Sequence, residues 1–318
     1  MLAAVIHRLG DLPRLDTFAE PVAGADEVLV RVAAAAIKPH DLALARGHHH
    51  CSPLVLPAIC GTDGVGYLDT GERVYFSGVR APYGALAALA PARCVAMIPD
   101  DVDNVTAAAI VDRALMAWLP LRWRARISPG ETVLVVGASG PLGQMTVRAA
   151  RLLGAARVVV AGRGTAELEA LGADAVIDLR LPPTHLHEAF ASHAVGGIDV
   201  VVDFIWGPIS EVLIAALSVT SDPGERGVRI VSTGELMEGP IELAGAHLRD
   251  APIQLMGDGP GNRPSLRELE AMIEEILGHV ATGALRADAE VMPLTDIADA
   301  WARAQASDRE RAVVVRVG

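Results

Sequence analysis

Gly137-Ala138-Ser139-Gly140-Pro141-Leu142-Gly143 is the stretch whose residue types and spacing point most directly to chemistry. A pyrophosphate sits best against bare backbone N–H groups at a helix N-terminus, where the helix dipole is positive. Gly140 leaves the backbone open at that point, and Gly143 lets the following helix close on the preceding strand. Pro141 suits a first helical turn, because its missing N–H is no loss there. The spacing is A-x-G-x-x-G, with Ala138 standing where the usual fingerprint has its first glycine. Ser139, Gly140, Pro141 and Leu142 are therefore the expected contacts to a dinucleotide pyrophosphate. The alternative is a glycine-rich turn of an ordinary α/β protein.

A second site follows at Gly162-Arg163-Gly164. Folds that bind NAD usually carry an acid about 20 residues past the turn, to hold the ribose 2′-hydroxyl. Here that place holds Arg163. A guanidinium pairs with a 2′-phosphate that a carboxylate would repel, so Gly162 and Arg163 point to NADP(H) rather than NAD(H). The same position argues against S-adenosylmethionine, whose ribose would call for an acid.

These residues need elements to hold them. Thr132 to Val136 is a β-branched, apolar run bounded by glycine, as in a strand buried on both faces. Beyond the turn, Leu142, Met145, Ala149 and Leu152-Leu153 mark one face of a helix that stops at Gly154. From Glu131 onward, strands predicted at 132–136, 157–161, 174–178, 198–205, 227–232 and 252–256 alternate with helices near 141–153, 165–171, 184–194 and 208–219. That alternation implies a doubly wound parallel sheet, which binds ligands at the carboxyl ends of its strands. Thr233-Gly234 ends a strand at that edge. Before it, Glu27 to Val32 alternates as a half-buried strand, and 61–68 and 72–76 read as barrel strands joined by Asp69-Thr70-Gly71. A long helix is expected from Val105 to about Arg126. Helices near 264–281 and 296–306 and a strand at 312–317 close the chain. The nucleotide domain is thus inserted: 1–108 and 259–318 form a catalytic domain, and 109–258 the NADP(H)-binding domain.

Bulk properties narrow the class. The chain has 318 residues and a formal net charge of −12, giving no basic footprint for nucleic acid or anionic membrane. No uninterrupted apolar run is long enough for a membrane span, and no signal peptide is evident. Cys51, Cys60 and Cys94 form no C-x-x-C pair, consistent with reduced thiols and a cytoplasmic protein. One lysine, Lys38, stands against 26 arginines.

The order of motifs resembles the medium-chain dehydrogenase/reductase superfamily, in its zinc-independent quinone oxidoreductase branch. Lys38-Pro39-His40-Asp41, Gly61-Thr62-Asp63-Gly64-Val65-Gly66, Tyr83-Gly84-Ala85-Leu86, Ser128-Pro129-Gly130-Glu131 with the A-S-G-P-L-G turn, and Asp296 to Trp301 carry the resemblance across nearly the whole chain. It implies an α/β protein with a GroES-like β-barrel domain and a Rossmann domain, with the nicotinamide held between them. It also implies a homodimer, by analogy. Zinc enzymes of the superfamily have cysteine where this chain has Lys38 and G-H-E where it has Gly61-Thr62-Asp63; their third ligand falls near Asp112. One ligand of three does not hold catalytic zinc. Tyr-x-x-x-Lys of the short-chain enzymes is absent, since Gly71, Val79 and Ala87 follow the three tyrosines at that spacing.

Without a metal, the expected reaction is hydride transfer from NADPH to a conjugated acceptor, a quinone or an α,β-unsaturated carbonyl. Lys38 is the first candidate for a donor to the developing oxyanion, with its pKa lowered by partial burial. Asp112 and His48 are further catalytic candidates, and Asp41 and Arg46 would order the Lys38 loop. The resemblance sets Ile205, Trp206 and the Gly257-Asp258-Gly259 loop near the nicotinamide. A non-catalytic NADP(H)-binding or sensing protein and a zinc alcohol dehydrogenase are the alternatives.

Overall fold

The structure is a computed structural model that describes residues 1–47, 52–53, 55–220, 227–234, 237, 239–259, 261–306 and 311–318. In chain order the elements begin β1 (Leu2–Ile6), β2 (Arg14–Thr17), β3 (Val28–Ile37), α1 (Pro39–Arg46), β4 (Ala58–Ile59), β5 (Asp63–Tyr67), β6 (Arg73–Ser77), β7 (Leu89–Ala92), β8 (Cys94–Met97) and α2 (Asn104–Trp118). Then come β9 (Thr132–Val136), α3 (Pro141–Leu152), β10 (Arg157–Gly162), α4 (Thr165–Glu169), β11 (Ala175–Asp178), α5 (Pro183–Ala194), β12 (Val200–Asp203), α6 (Pro208–Thr220), β13 (Val228–Ser232), α7 (Gly245–Asp250) and β14 (Ile253–Gly257). The chain ends with α8 (Leu266–Ala281), β15 (Ala289–Pro293), α9 (Ile297–Ala306) and β16 (Ala312–Arg316).

Two compact units result. One joins Met1–Leu115 to Pro264–Gly318; the other is Met116–Arg263. The divisions fall some residues later than 108/109 and 258/259, and the first lies inside α2.

The first unit is built on antiparallel pairing. A seven-stranded sheet runs β15-β16-β3-β5-β6-β8, with β7 also on β3, beside a three-stranded sheet β2-β1-β4. The ten residues of β3 serve three partners, β5, β7 and β16. Val30, Val32, Phe76, Leu86, Trp301 and Val313 meet in its core. Gly64 and Gly66 on β5 are required by that pairing. A Cβ at Gly66 would lie 2.4 Å from the Arg31 carbonyl oxygen, and one at Gly64 2.8 Å from that of Ala34. α8 starts at a capping box in which the Ser265 N–H donates to Glu268 and the Glu268 N–H to the Ser265 hydroxyl.

The second unit is a six-stranded parallel sheet in the order β11-β10-β9-β12-β13-β14, the doubly wound arrangement of a Rossmann domain. β9 pairs with β10 and β12, and all five of its residues are buried, which explains its unbroken β-branched run. Phe190, Leu213, Ile214 and Leu217 pack helices onto one face.

Local departures from the sequence reading have physical causes. The helix expected to reach Arg126 ends at Trp118 and continues as a π-helical turn, Leu119–Arg124, with Pro120 at its start. A proline cannot donate the N–H that a continuing α-helix needs. The strand expected over 198–205 is only Val200–Asp203, because Ile205 and Trp206 turn back onto the Asp203 carboxylate. β5 begins at Asp63 rather than Gly61, where φ is +91°.

Candidate functional site

In the second unit, the strand-to-helix turn shows which glycines the chain itself requires. Gly137 has φ +91°, a region costly for any side chain. A Cβ at Gly143 would lie 2.4 Å from the Gly137 carbonyl oxygen and 2.6 Å from the Ala138 Cα. Gly143 is therefore fixed by close helix–strand packing. Gly140 differs. It caps α3 with φ −82°, and an added Cβ would meet only the Gly137 oxygen, at 3.7 Å. Neither backbone nor packing demands glycine there. Pro141 is the first residue of α3, and Leu142 is exposed beside it.

The end of β10 is tied to this turn. The Ser139 hydroxyl donates to the Arg163 carbonyl at 2.6 Å, and the Arg163 N–H donates back at 2.8 Å. Gly162 permits this, since a Cβ there would lie 2.4 Å from Ser139 Oγ. The Arg163 side chain is exposed.

At the carboxyl end of β12, Asp203 is fully buried. It accepts from the Ile205 N–H at 2.8 Å, the Trp206 N–H at 3.1 Å and the Ser210 hydroxyl. These bonds hold Trp206 at φ +60°, unusual for a bulky residue. The next strand end packs on this turn. The Thr233 N–H donates to the Asp203 carbonyl at 2.9 Å, and a Cβ at Gly234 would lie 2.6 Å from the Phe204 oxygen. The buried Thr233 hydroxyl has no hydrogen-bond partner among the described residues. Gly257 is open, with nothing near its missing Cβ. Burial pushes the neighbouring Asp258 carboxyl up to about 6, against the pull of Arg124 and Arg263. Asp203 is a residue the sequence reading missed. Its signal is an acid closing an apolar run, with a serine one short helix turn into the next element.

In the first unit, Lys38 leads into α1, and its buried ammonium bonds Asp63 and lies 3.6 Å from Asp41. Asp41 accepts from the Lys38 N–H at 2.9 Å and from the Thr62 hydroxyl at 3.1 Å. Asp112 on α2 adds its field. Burial alone would lower the lysine pKa, but Asp41, Asp63 and Asp112 and the bond to Asp63 outweigh it and raise it above the ordinary value. The expectation of a lowered lysine pKa is overturned, because β5 delivers a carboxylate that the spacing around Lys38 did not reveal. Tyr75 on β6 bonds Asp63; burial, with Asp63 and Asp112, keeps its phenol protonated. Among the described residues no group of three or more His, Cys, Asp or Glu is arranged to hold a metal ion. Cys60 and Cys94 are buried free thiols, and burial raises the Cys94 thiol to about 11. His48 and Cys51 lie outside the described residues.

No family model matches the chain. It is 28% identical over 307 residues to a phenolphthiocerol/phthiocerol polyketide synthase of Mycobacterium tuberculosis, covering 91% of this chain and 13% of that protein. The chain thus spans only a small part of that relative. It is 28% identical over 237 residues to the quinone oxidoreductase of Sus scrofa, 70% of this chain and 68% of that one. Among solved structures, the quinone oxidoreductase of Thermus thermophilus, studied also as its NADPH complex, is 29% identical with a TM-score of 0.71 and full coverage of both chains.

The parallel sheet with its glycine turn and the antiparallel first unit give the chain the fold of solved NADPH:quinone reductase and alcohol dehydrogenase superfamily structures. In sequence it is similar to quinone oxidoreductases and, to the same degree, to a part of a polyketide synthase. Among the described residues, no helix is long and apolar enough to cross a membrane.

Proposed function

We propose that this protein is an NADPH-dependent oxidoreductase that reduces a quinone or an α,β-unsaturated carbonyl compound without a metal. Gly140 is the observation that carries the reading: a helix N-terminus stripped of a side chain that the fold would have tolerated. Backbone N–H groups from Ser139 to Leu142 take the pyrophosphate there. Gly162 and Arg163, joined to the turn through Ser139, take the 2′-phosphate. Similarity to quinone oxidoreductases, one of them studied with NADPH, supports the same cofactor.

When bound, the reduced nicotinamide supplies the hydride. Ile205, Trp206, Thr233, Gly234, Gly257 and Asp258 orient its ring end, the first two through the strained turn that Asp203 fixes. Its hydride would add to the acceptor's β-carbon, leaving the π electrons on the carbonyl oxygen and the α-carbon for water to protonate. Lys38 stabilises that oxygen as a permanently charged donor rather than as an acid that gives up its proton. Asp41 and Asp63, with Asp112, hold the ammonium in its charged form, and His48 is a further proton donor.

The test is NADPH oxidation with a panel of quinones and enones after chelator treatment, with NADH run in parallel. Turnover that survives chelation and prefers NADPH is expected. Activity lost on chelation and restored by zinc would overturn the reading, and tight NADPH binding without turnover on any acceptor would favour a sensing role.

A further inference from the structure

A cavity of about 500 Å³ in the second unit is lined by Trp123, Arg124, Arg126, Arg229 and Gln254. Arg229 and Gln254 are paired near the amino ends of β13 and β14, away from the carboxyl edge that carries the glycine turn. Three arginines around one cavity are notable in a chain whose formal net charge is −12.

Their partners are unequal. Arg229 is committed: it donates to Glu131 at 2.6 Å and to the Ala125 carbonyl at 2.5 Å. That clamps the backbone just before Arg126. Arg124 lies 4.9 Å over the Trp123 ring, and its buried Nε–H has no hydrogen-bond partner among the described residues. The Arg126 side chain is exposed and makes no hydrogen bond or ion pair among the described residues.

Arg126 is also strained. Its φ is +50°, where it ends the π-helical turn, with the Ile127 N–H reaching the Leu121 carbonyl at 2.9 Å. Glycine takes that capping conformation at least cost. An arginine held there puts a guanidinium at the cavity mouth at the expense of local strain, and such an outlier is a pointer to function. Of the nearby carboxyls, Glu131 is taken by Arg229, and Asp258, raised by burial to about 6, shares its attraction between Arg124 and Arg263.

We propose that this cavity is a phosphate-binding site, in which Arg124 and Arg126 hold the oxygens of an inorganic phosphate or a phosphate ester. Planar guanidinium forks suit that geometry.

The full chain should be melted in inorganic phosphate, in pyrophosphate and in sodium chloride at equal ionic strength. The Tm is expected to rise with phosphate and not with chloride. Arg124→Gln and Arg126→Gly should each lose the rise. Arg126→Gly should melt in chloride no lower than the parent, since glycine relieves the strain, so the lost rise is not lost folding. Arg163→Gln should keep the rise. A larger rise with pyrophosphate would indicate a diphosphate ester, and an equal one a single phosphate group. The proposal is overturned if chloride does as well, if both cavity variants keep the rise, or if Arg163→Gln alone abolishes it, which would put the anion at the glycine turn. NADPH turnover should be unchanged in Arg126→Gly.

Discussion

Lys38 and Asp258 are both ionisable and both shielded from water, yet their surroundings push them in opposite senses. Lys38 is held charged by Asp41, Asp63 and Asp112. Because its folded pKa lies above the unfolded one, its contribution is fully present below the unfolded value of about 10.4 and is lost only as pH rises through the folded value. Lys38→Met should therefore destabilise by about 3–5 kcal/mol, the range for stripping a buried pair of one partner. Denaturant titration should find that loss nearly constant between about pH 6 and pH 9. A loss that shrinks steeply across that window would mean the ammonium gives up its proton early. Asp258 is the reverse case. Its carboxyl, raised to about 6, prefers to be neutral in the fold, so the folded state binds the extra proton between the ordinary Asp value and about 6. Stability from this group falls as pH rises through that interval. Asp258→Asn should raise the Tm at pH 8, and the gain should fade at acid pH; a gain independent of pH would refute the assignment.

At the scale of elements, the turn between β9 and α3 separates two glycines that look alike in the sequence. Gly143→Ala drives a Cβ into the backbone of Gly137 and Ala138 and should cost about 1–3 kcal/mol by overpacking. Gly140→Ala meets nothing closer than 3.7 Å, so it should leave the Tm nearly unchanged while weakening NADPH binding tenfold or more. Equal loss of stability in both variants would remove the argument for an external ligand. The sequence made this region legible because the β-branched run, the turn and the amphipathic helix agree at every level. It was less informative where long-range partners decide. The short strand β15 has a half-exposed pattern and forms only because β16 lies alongside it. α7, a six-residue helix with no buried residue, carries no apolar face to read. The register of α2 hid its end because Leu119 and Leu121 remain buried in the π-helical turn that follows. The Lys38 cluster was half visible: Asp41 lies three residues away in sequence, but Asp63 arrives through the pairing of β3 with β5.

For the molecule as a whole, the first unit depends on residues from both ends of the chain. β16 lies between β15 and β3, with Val313, Val314 and Val315 buried. Each fully buried valine is worth about 1.5–3 kcal/mol, and their sum approaches the about 5–15 kcal/mol net stability of a typical domain. Removing residues 312–318 should therefore abolish cooperative unfolding of the first unit in a thermal melt, rather than merely lower its midpoint.

The burial of the chain's one lysine has a practical consequence. Acylating reagents that modify surface lysines on most proteins find no accessible side-chain amine here, because Lys38 is 8% exposed, charged and bonded to Asp63. Modification of Lys38, followed by mass spectrometry, then becomes a clock for the opening of one defined cluster. An acceptor or cofactor that tightens the cluster slows the clock, and a variant that loosens β5 speeds it, with no other lysine to blur the reading.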